Sequence, residues 1–192
     1  MKVALIGYGR MGKEIEKVLR ERGHEIPLII DIDNQTDLTA ENLKQVDAAI
    51  EFTIPETAFN NIITCIQSGT PVVSGTTGWL SHYEEIVKAC EQHQGTFFYA
   101  PNYSIGVNIL FKLNQYLAQI MEQFEEYDPS IEEVHHIQKV DSPSGTAIKL
   151  AEQLIEKISR KHDWKEDVAG EKGTLNIHAV REDQVPGIHT IT

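Results

Sequence analysis

The sequence predicts an α/β protein: an amino-terminal parallel sheet over residues 1–104, then a smaller α+β unit over residues 105–192 that is cut short at its carboxy end. Three observations carry this. Short apolar runs alternate with stretches of helical period through the first hundred residues, as in a parallel sheet joined by helical crossovers. A glycine-rich turn follows the first run directly. After Glu125-Glu126-Tyr127-Asp128-Pro129 the rhythm changes, and the chain reaches Thr192 still in strand pattern.

Val3 to Ile6 is a continuous apolar run ending at Gly7, as a strand buried on both faces requires. Ile15, Val18 and Leu19 repeat at helical spacing until Gly23, which is placed to end that helix. Leu28 to Ile30 and Asp47 to Phe52 are the next strands. Ala58, Phe59, Ile62, Ile63 and Ile66 mark a helix closed by Ser68-Gly69. Val72-Val73 is a fourth strand, Tyr83, Ile86, Val87 and Cys90 line another helix, and Phe97-Phe98-Tyr99 is a fifth strand. A long helix follows with Leu110, Leu113, Leu117, Ile120 and Phe124 on one face. Ile131 to Val140 reads as a strand, and Ala147, Leu150, Ala151, Leu154, Ile155 and Ile158 as a helix. Residues 159–173, charged and aperiodic, read as a mobile loop. Thr174 to Arg181 and Ile188 to Thr192 are two more strands, joined through a turn at Pro186-Gly187.

A net charge of −12, with acids and bases interleaved, argues against nucleic-acid binding and against attraction to an anionic membrane. No apolar run approaches the roughly 20 residues that span a bilayer. The apolar stretch after Met1-Lys2 is too short for a signal peptide. Cys65 and Cys90 lie within helical segments and read as buried, reduced thiols. A globular protein of the cytoplasm is expected.

Gly7-Tyr8-Gly9-Arg10-Met11-Gly12 fits G-x-G-x-x-G between a strand and a helix, which makes the first unit a Rossmann dinucleotide-binding domain. Glycines there allow a tight turn and close approach of a pyrophosphate to free N–H groups at the helix start. Asp31, at the end of the next strand, is placed to accept from adenosine ribose hydroxyls. A carboxylate there repels a 2′-phosphate, and Pro27 to Ala40 holds no Lys or Arg, so NADH is expected in preference to NADPH. Two further loops lie at carboxyl ends of strands, where open α/β sheets bind ligands: Gly75-Thr76-Thr77-Gly78 and Ala100-Pro101-Asn102-Tyr103-Ser104. These two loops extend the candidate cofactor set. A turn with no ligand is the alternative for each loop taken singly.

The densest chemistry runs from Glu132 to Ala147. His135 can hold or donate a proton near neutral pH, and Lys139 can donate one or balance an anionic substrate. Ser144-Gly145-Thr146 begins a helix and can present N–H groups, a hydroxyl and the positive helix end to a carboxylate. The competing reading is a polar strand with Ser144 as a plain helix cap. No metal is expected, because adjacent His135 and His136 point to opposite strand faces and no third ligand is spaced to join them. In a regular strand His135 and Lys139 lie roughly 13 Å apart at about 3.3 Å per residue, so joint action needs a bend after Ile137 or a substrate that spans the gap.

These residues resemble the dihydrodipicolinate reductase family. The resemblance runs from Val3 to His189. It rests on the Gly7–Gly12 loop, Glu51-Phe52-Thr53, Gly75-Thr76-Thr77-Gly78, Asn102-Tyr103-Ser104 with Gly106-Val107-Asn108, and above all His135-His136, Lys139, Asp141 and Pro143-Ser144-Gly145-Thr146-Ala147. Arg181 and Pro186-Gly187 with His189 resemble a later family motif. The resemblance implies hydride transfer from NADH or NADPH to a cyclic imine derived from 4-hydroxy-tetrahydrodipicolinate, giving tetrahydrodipicolinate in lysine and diaminopimelate biosynthesis. It implies a general acid–base role for His135 and proton donation by Lys139. His136, Ser144, Gly145 and Thr146 would hold the substrate carboxylates, with Thr77 where substrate and nicotinamide meet. It also implies a homotetramer formed through the second sheet. Three departures stand out: a glycine loop one residue short, Ile32 where a basic residue is common, and no family carboxy-terminal segment. The alternatives are a Rossmann dehydrogenase acting on amino acids, and a nicotinamide sensor without catalysis.

Overall fold

The period-two pattern of the first strand sets the layering of the amino-terminal unit. Ala4 and Ile6 point into one apolar cluster, with Ile30, Ala49, Ile62, Ile66, Val72 and Ile86, while Val3 and Leu5 point into another with Leu19. Both faces of β1 (Lys2–Ile6) are therefore buried, which explains its unbroken apolar run. The computed structural model describes residues 1–168 and 170–192, and the chain folds as two units, Met1–Tyr103 and Ser104–Thr192.

In the first unit, β1, β2 (Glu25–Ile30), β3 (Ala48–Glu51), β4 (Val72–Ser74) and β5 (Phe97–Tyr99) pair in parallel in the order β2-β1-β3-β4-β5. Helix α1 (Arg10–Glu21) supplies Leu19 to one face; α2 (Ala40–Leu43), α3 (Pro55–Ser68) and α4 (Tyr83–His93) supply Leu43, Ile62 and Ile86 to the other. Pro55 opens α3, and Gly69, at φ +77°, closes it in the left-handed conformation that glycine adopts without strain. The chain leaves β1 toward β2 and then crosses back to β3. The switch point thus falls between β1 and β3, and β1, β2 and β3 deliver Gly7, Asp31 and Phe52 to that end of the sheet. A 3-10 segment, Ile32–Asp37, and the single turn of α2 were not expected; both are too short to print a period.

In the second unit, β6 (Ser130–His135) pairs in parallel with β8 (Thr174–Arg181) and antiparallel with β9 (Ile188–Ile191), while β7 (Asp163–Glu166) flanks β8. The order is β7-β8-β6-β9, so β8 and β9 do not pair with each other; β6 lies between them. Helices α5 (Ile105–Met121) and α6 (Gly145–Lys157) cover one face around Ala118, Ile131, Leu150, Leu154, Leu175 and Ile177. Buried Asn114 joins the helices, its Nδ2 donating to Leu150 O at 3.0 Å and to Gln153 Oε1 at 3.1 Å. The opposite sheet face carries Val134 between Val180 and Ile188, and Glu132 between His178 and Thr190.

Three expectations are corrected in this unit. The strand from Ile131 stops at His135 rather than Val140, and residues 136–139 form a turn closed by Lys139 N donating to His136 O at 3.0 Å. Residues 159–173 contain β7, which has one apolar side chain, Trp164, turned to the core and so gave no readable pattern; Ala169 in that stretch lies outside the described residues. The inward side of α5 is Leu110, Phe111, Asn114 and Ala118. Leu113 and Ile120 are exposed, and Phe124 lies past the helix end. That helix is apolar around much of its circumference, and the face with the small and polar residues is the one that meets α6.

Candidate active site

The glycines of the first loop divide by what surrounds them. A Cβ on Gly7 would stand 1.9 Å from Phe52 O, and one on Gly12 2.2 Å from Gly7 O, so these two let backbone pack on backbone. Gly7 also has φ +95° and donates to Ile30 O at 2.8 Å. A Cβ on Gly9 would meet nothing within 4 Å. Gly9 is the N-cap of α1 and no side chain caps that helix, so its first N–H groups are open on the side that Gly9 keeps bare. Ile6, Gly7, Tyr8, Gly9, Asp31, Ile32, Phe52 and Thr53 line a cleft of about 210 Å³ at the switch point. Uncapped donors, a bare glycine and an exposed carboxylate fit a dinucleotide.

The other candidate cofactor residues are placed as follows. Arg10 and Met11 are exposed on the first turn of α1; the Tyr8 hydroxyl donates to Glu16. Asp31 is exposed, its amide held by Asn34 Oδ1 at 2.7 Å. A Cβ on Gly75 would stand 2.1 Å from the Phe52 ring, so this glycine is needed for packing. Thr77 is exposed. Pro101 is exposed and Ala100 half-buried; the Tyr103 hydroxyl donates to Ser74 O at 2.8 Å and fixes that loop to the end of β4.

Beneath this cleft lies fully buried Glu51. Its Oε1 accepts from Thr53 N at 3.1 Å, from the Thr53 hydroxyl and from Thr76 Oγ1 at 2.8 Å, and its Oε2 accepts from Ser74 Oγ at 2.5 Å. Thr76 is thus turned inward, bracing the loops that Thr53 and Thr77 occupy. In the sequence Glu51 is one acid at a strand end, and nothing local marks it as buried.

The second unit gathers its chemistry around Glu133, also fully buried. Its Oε1 accepts from Ser144 N at 3.0 Å and from Arg181 Nη2 at 3.2 Å. Its Oε2 lies 3.5 Å from both His135 Nδ1 and His189 Nε2. His135 and His189 meet edge to face with ring centres 5.1 Å apart, and His189 Nε2 is 3.1 Å from Ser144 Oγ. Burial pushes the Glu133 carboxyl up, but Ser144, His135 and Arg181 together hold it below the ordinary glutamate value. Burial pulls both His135 and His189 down; for His135 the Lys139 and Arg181 cations add to this against Glu133, and for His189 the charge of His135 adds. Register explains the gathering: Glu133 stands opposite His189 on β9, and His135 opposite Arg181 on β8.

The chain turns directly after His135, two residues before the bend after Ile137 that the sequence offered as one of two alternatives. Lys139 Nζ donates to both Asp141 carboxylate oxygens at 2.8 Å, and Arg181 Nη2 donates to Asp141 O at 2.7 Å. Half-buried His136 has a buried Nδ1 with no hydrogen-bond partner among the described residues. Ser144 caps α6 by accepting from Ala147 N at 3.1 Å. Gly145 is exposed and a Cβ there would meet nothing within 4 Å, leaving the helix start bare as at Gly9; Thr146 is half-buried beside it. Glu133, His135 and His189 each offer one ligand atom within 4.8 Å of the others, so a third group does join His135, contrary to the spacing argument. His189 lies too far along the sequence for spacing to reveal it.

A dinucleotide-binding sheet followed by a unit with a histidine–glutamate cluster, a lysine and a bare helix start makes the chain a nicotinamide-dependent oxidoreductase. Family models described as dihydrodipicolinate reductase, N-terminus and C-terminus, match residues 1–103 and 106–192, and the chain belongs to the dihydrodipicolinate reductase family. It is 49% identical to a 4-hydroxy-tetrahydrodipicolinate reductase of Christiangramia forsetii, over 100% of this chain and 79% of that one. It is 34% identical to the enzyme of the same name from Lawsonia intracellularis, over 95% and 78% of the two chains. Among solved structures it is similar to dipicolinate-bound dihydrodipicolinate reductase from Paenisporosarcina sp. TG-14, with a TM-score of 0.76 and 27% identity over 100% of this chain and 82% of that one.

Proposed function

We propose that this chain reduces the cyclic imine derived from 4-hydroxy-tetrahydrodipicolinate to tetrahydrodipicolinate, in lysine and diaminopimelate biosynthesis. Residues 1–104 bind the nucleotide; residues 105–192 bind the substrate and form the oligomer. Bound NADH or NADPH supplies the hydride. Gly7, Tyr8, Gly9, Arg10, Met11 and Gly12 hold its pyrophosphate, and Asp31 its ribose. Phe52, Thr53, Gly75, Thr76, Thr77, Ala100, Pro101, Asn102 and Tyr103 form the nicotinamide side, with Thr77 also reaching substrate. NADH is preferred, because Asp31 is an exposed acid with no basic residue in the adjoining 3-10 segment to pair a phosphate.

Gly145 and Thr146 receive one substrate carboxylate at the bare start of α6, with Ser144 shaping the turn and His136 assisting. Lys139 delivers the proton that follows the hydride, and Asp141 holds its ammonium until then. His135 acts as the general acid–base group. A homotetramer formed through the open face of the second sheet, in the cytoplasm, completes the reading.

The observation that carries it is the bare N-terminus at Gly145, tied to the buried His135 cluster by Ser144 N donating to Glu133 at 3.0 Å. The test is oxidation of NADH followed spectrophotometrically with freshly generated substrate. Turnover is expected, with Lys139→Met and His135→Gln each lowering kcat by about 10²–10⁴-fold while cofactor affinity holds. Rates within about three-fold of the parent remove that residue from its role. Cofactor binding without turnover points to a sensor, and turnover of an amino acid instead points to another dehydrogenase. Fluorescence titration with both nucleotides tests the cofactor preference, and equal affinities overturn it.

A further inference from the structure

We propose that Glu133 is a positioning residue that fixes the tautomer and orientation of His135 and ties them to the carboxylate-binding turn; this rests on the acid–base role given to His135 above. The geometry is that of a carboxylate behind an imidazole. Glu133 Oε2 lies 3.5 Å from His135 Nδ1, and neither of these buried atoms has a hydrogen-bond partner among the described residues. Each is the other's available complement: an ionised carboxylate only accepts, and an imidazole nitrogen can donate. A proton on Nδ1 leaves Nε2 as the working nitrogen. Gly187 makes room for that edge of the ring, since a Cβ there would stand 3.0 Å from His135 Nε2.

The other oxygen of Glu133 gives the arrangement its reach. Ser144 N and Arg181 Nη2 both donate to Oε1, so one carboxylate holds the catalytic histidine with one oxygen and the start of the substrate turn with the other. His189 closes the cluster by approaching Oε2 at 3.5 Å and Ser144 Oγ at 3.1 Å. A divalent metal ion among Glu133, His135 and His189 would face the Arg181 guanidinium on the same carboxylate. The fixed cation favours a hydrogen-bonded cluster over a metal centre.

Glu133→Gln is the informative change. Its carbonyl can still accept from Ser144 and Arg181, but its NH₂ would donate to His135 Nδ1 and force the proton to Nε2. The expected result is a fall in kcat of about 10²–10⁴-fold, by analogy with other carboxylate–histidine pairs, with the KM for NADH unchanged. In ¹⁵N NMR, His135 is expected as the Nδ1–H tautomer in the parent and as Nε2–H in the variant. A kcat within about three-fold of the parent overturns the proposal. So does an Nε2–H tautomer in the parent, which decides the matter even if the variant fails to fold. Stoichiometric metal retained after dialysis also overturns it. If the parent turns over no dicarboxylate imine, the functional reading fails, and the parent tautomer still decides this one.

Discussion

His135 and His189 are held neutral by their surroundings, and this ties folding to pH. Each has its pKa lowered chiefly by burial, with the neighbouring cations of Lys139 and Arg181 opposing protonation of His135 and the charge of His135 opposing protonation of His189. A group depressed in the folded state contributes stability that is present above its unfolded value, about 6.5, and is lost as pH falls through the folded value. Exposed His178 has the opposite sign: its bond to Asp167 raises it, so its contribution is present below that value and lost as pH rises. In a His178→Gln background the melting temperature should therefore fall between pH 7.5 and 5, before the carboxylates of Glu133 and Asp141 begin to protonate. A melting temperature flat across that range would mean that the two imidazoles accept protons freely. Cys65 carries no such dependence in this range: burial, with Glu51 nearby, pushes its thiol up to about 12.

At the scale of elements, the start of α6 is the proposed seat of a substrate carboxylate. Ser144 satisfies one amide, and Gly145 leaves the approach to the others clear. Gly145→Val has room within the fold, so it should leave the melting temperature within a few degrees while raising the KM for the dicarboxylate or abolishing turnover. NADH affinity should be unchanged, since the nucleotide loop belongs to the other unit. Unaltered KM would return the Ser-Gly-Thr turn to service as a cap alone. Elements of this kind were legible in the sequence because their signals are local: the apolar run of β1, the glycine loop and the Ser-Gly-Thr turn each sit within about ten residues. Helix α5 was legible as a helix, but not which side of it turns inward, since two of its faces are apolar. The roles of Glu51 and Glu133 were not legible. Each is an acid in a strand, and what buries it comes from residues far along the chain: Thr76 and Ser74 for one, Arg181 and His189 for the other.

At the scale of the whole molecule, the proposed homotetramer places its contact on the open face of the second sheet. Val134, flanked by Val180 and Ile188, forms an apolar row on a face that no helix among the described residues of its unit covers, beside the polar row of Glu132, His178 and Thr190. Val134→Glu would place a second carboxylate near Glu132 on the face proposed to pack between copies. Light scattering should give four chains for the parent and a smaller species for the variant, with far-UV circular dichroism unchanged. A parent that runs as a monomer ends that part of the reading. No helix among the described residues is long and apolar enough to cross a membrane.

The chain has two tryptophans, and the fold assigns one to each unit. Trp79 is almost fully buried, its indole donating to Thr76 O at 2.6 Å among Tyr83, Phe97 and Tyr99, while Trp164 is half-buried on β7. Each unit therefore contains its own fluorophore, with different solvent access. In Trp164→Phe the remaining emission reports the nucleotide-binding unit alone, from a blue-shifted indole. In Trp79→Phe it reports the second unit, at longer wavelength. Denaturation followed in the two variants would separate the melting of one half from that of the other, with no label added.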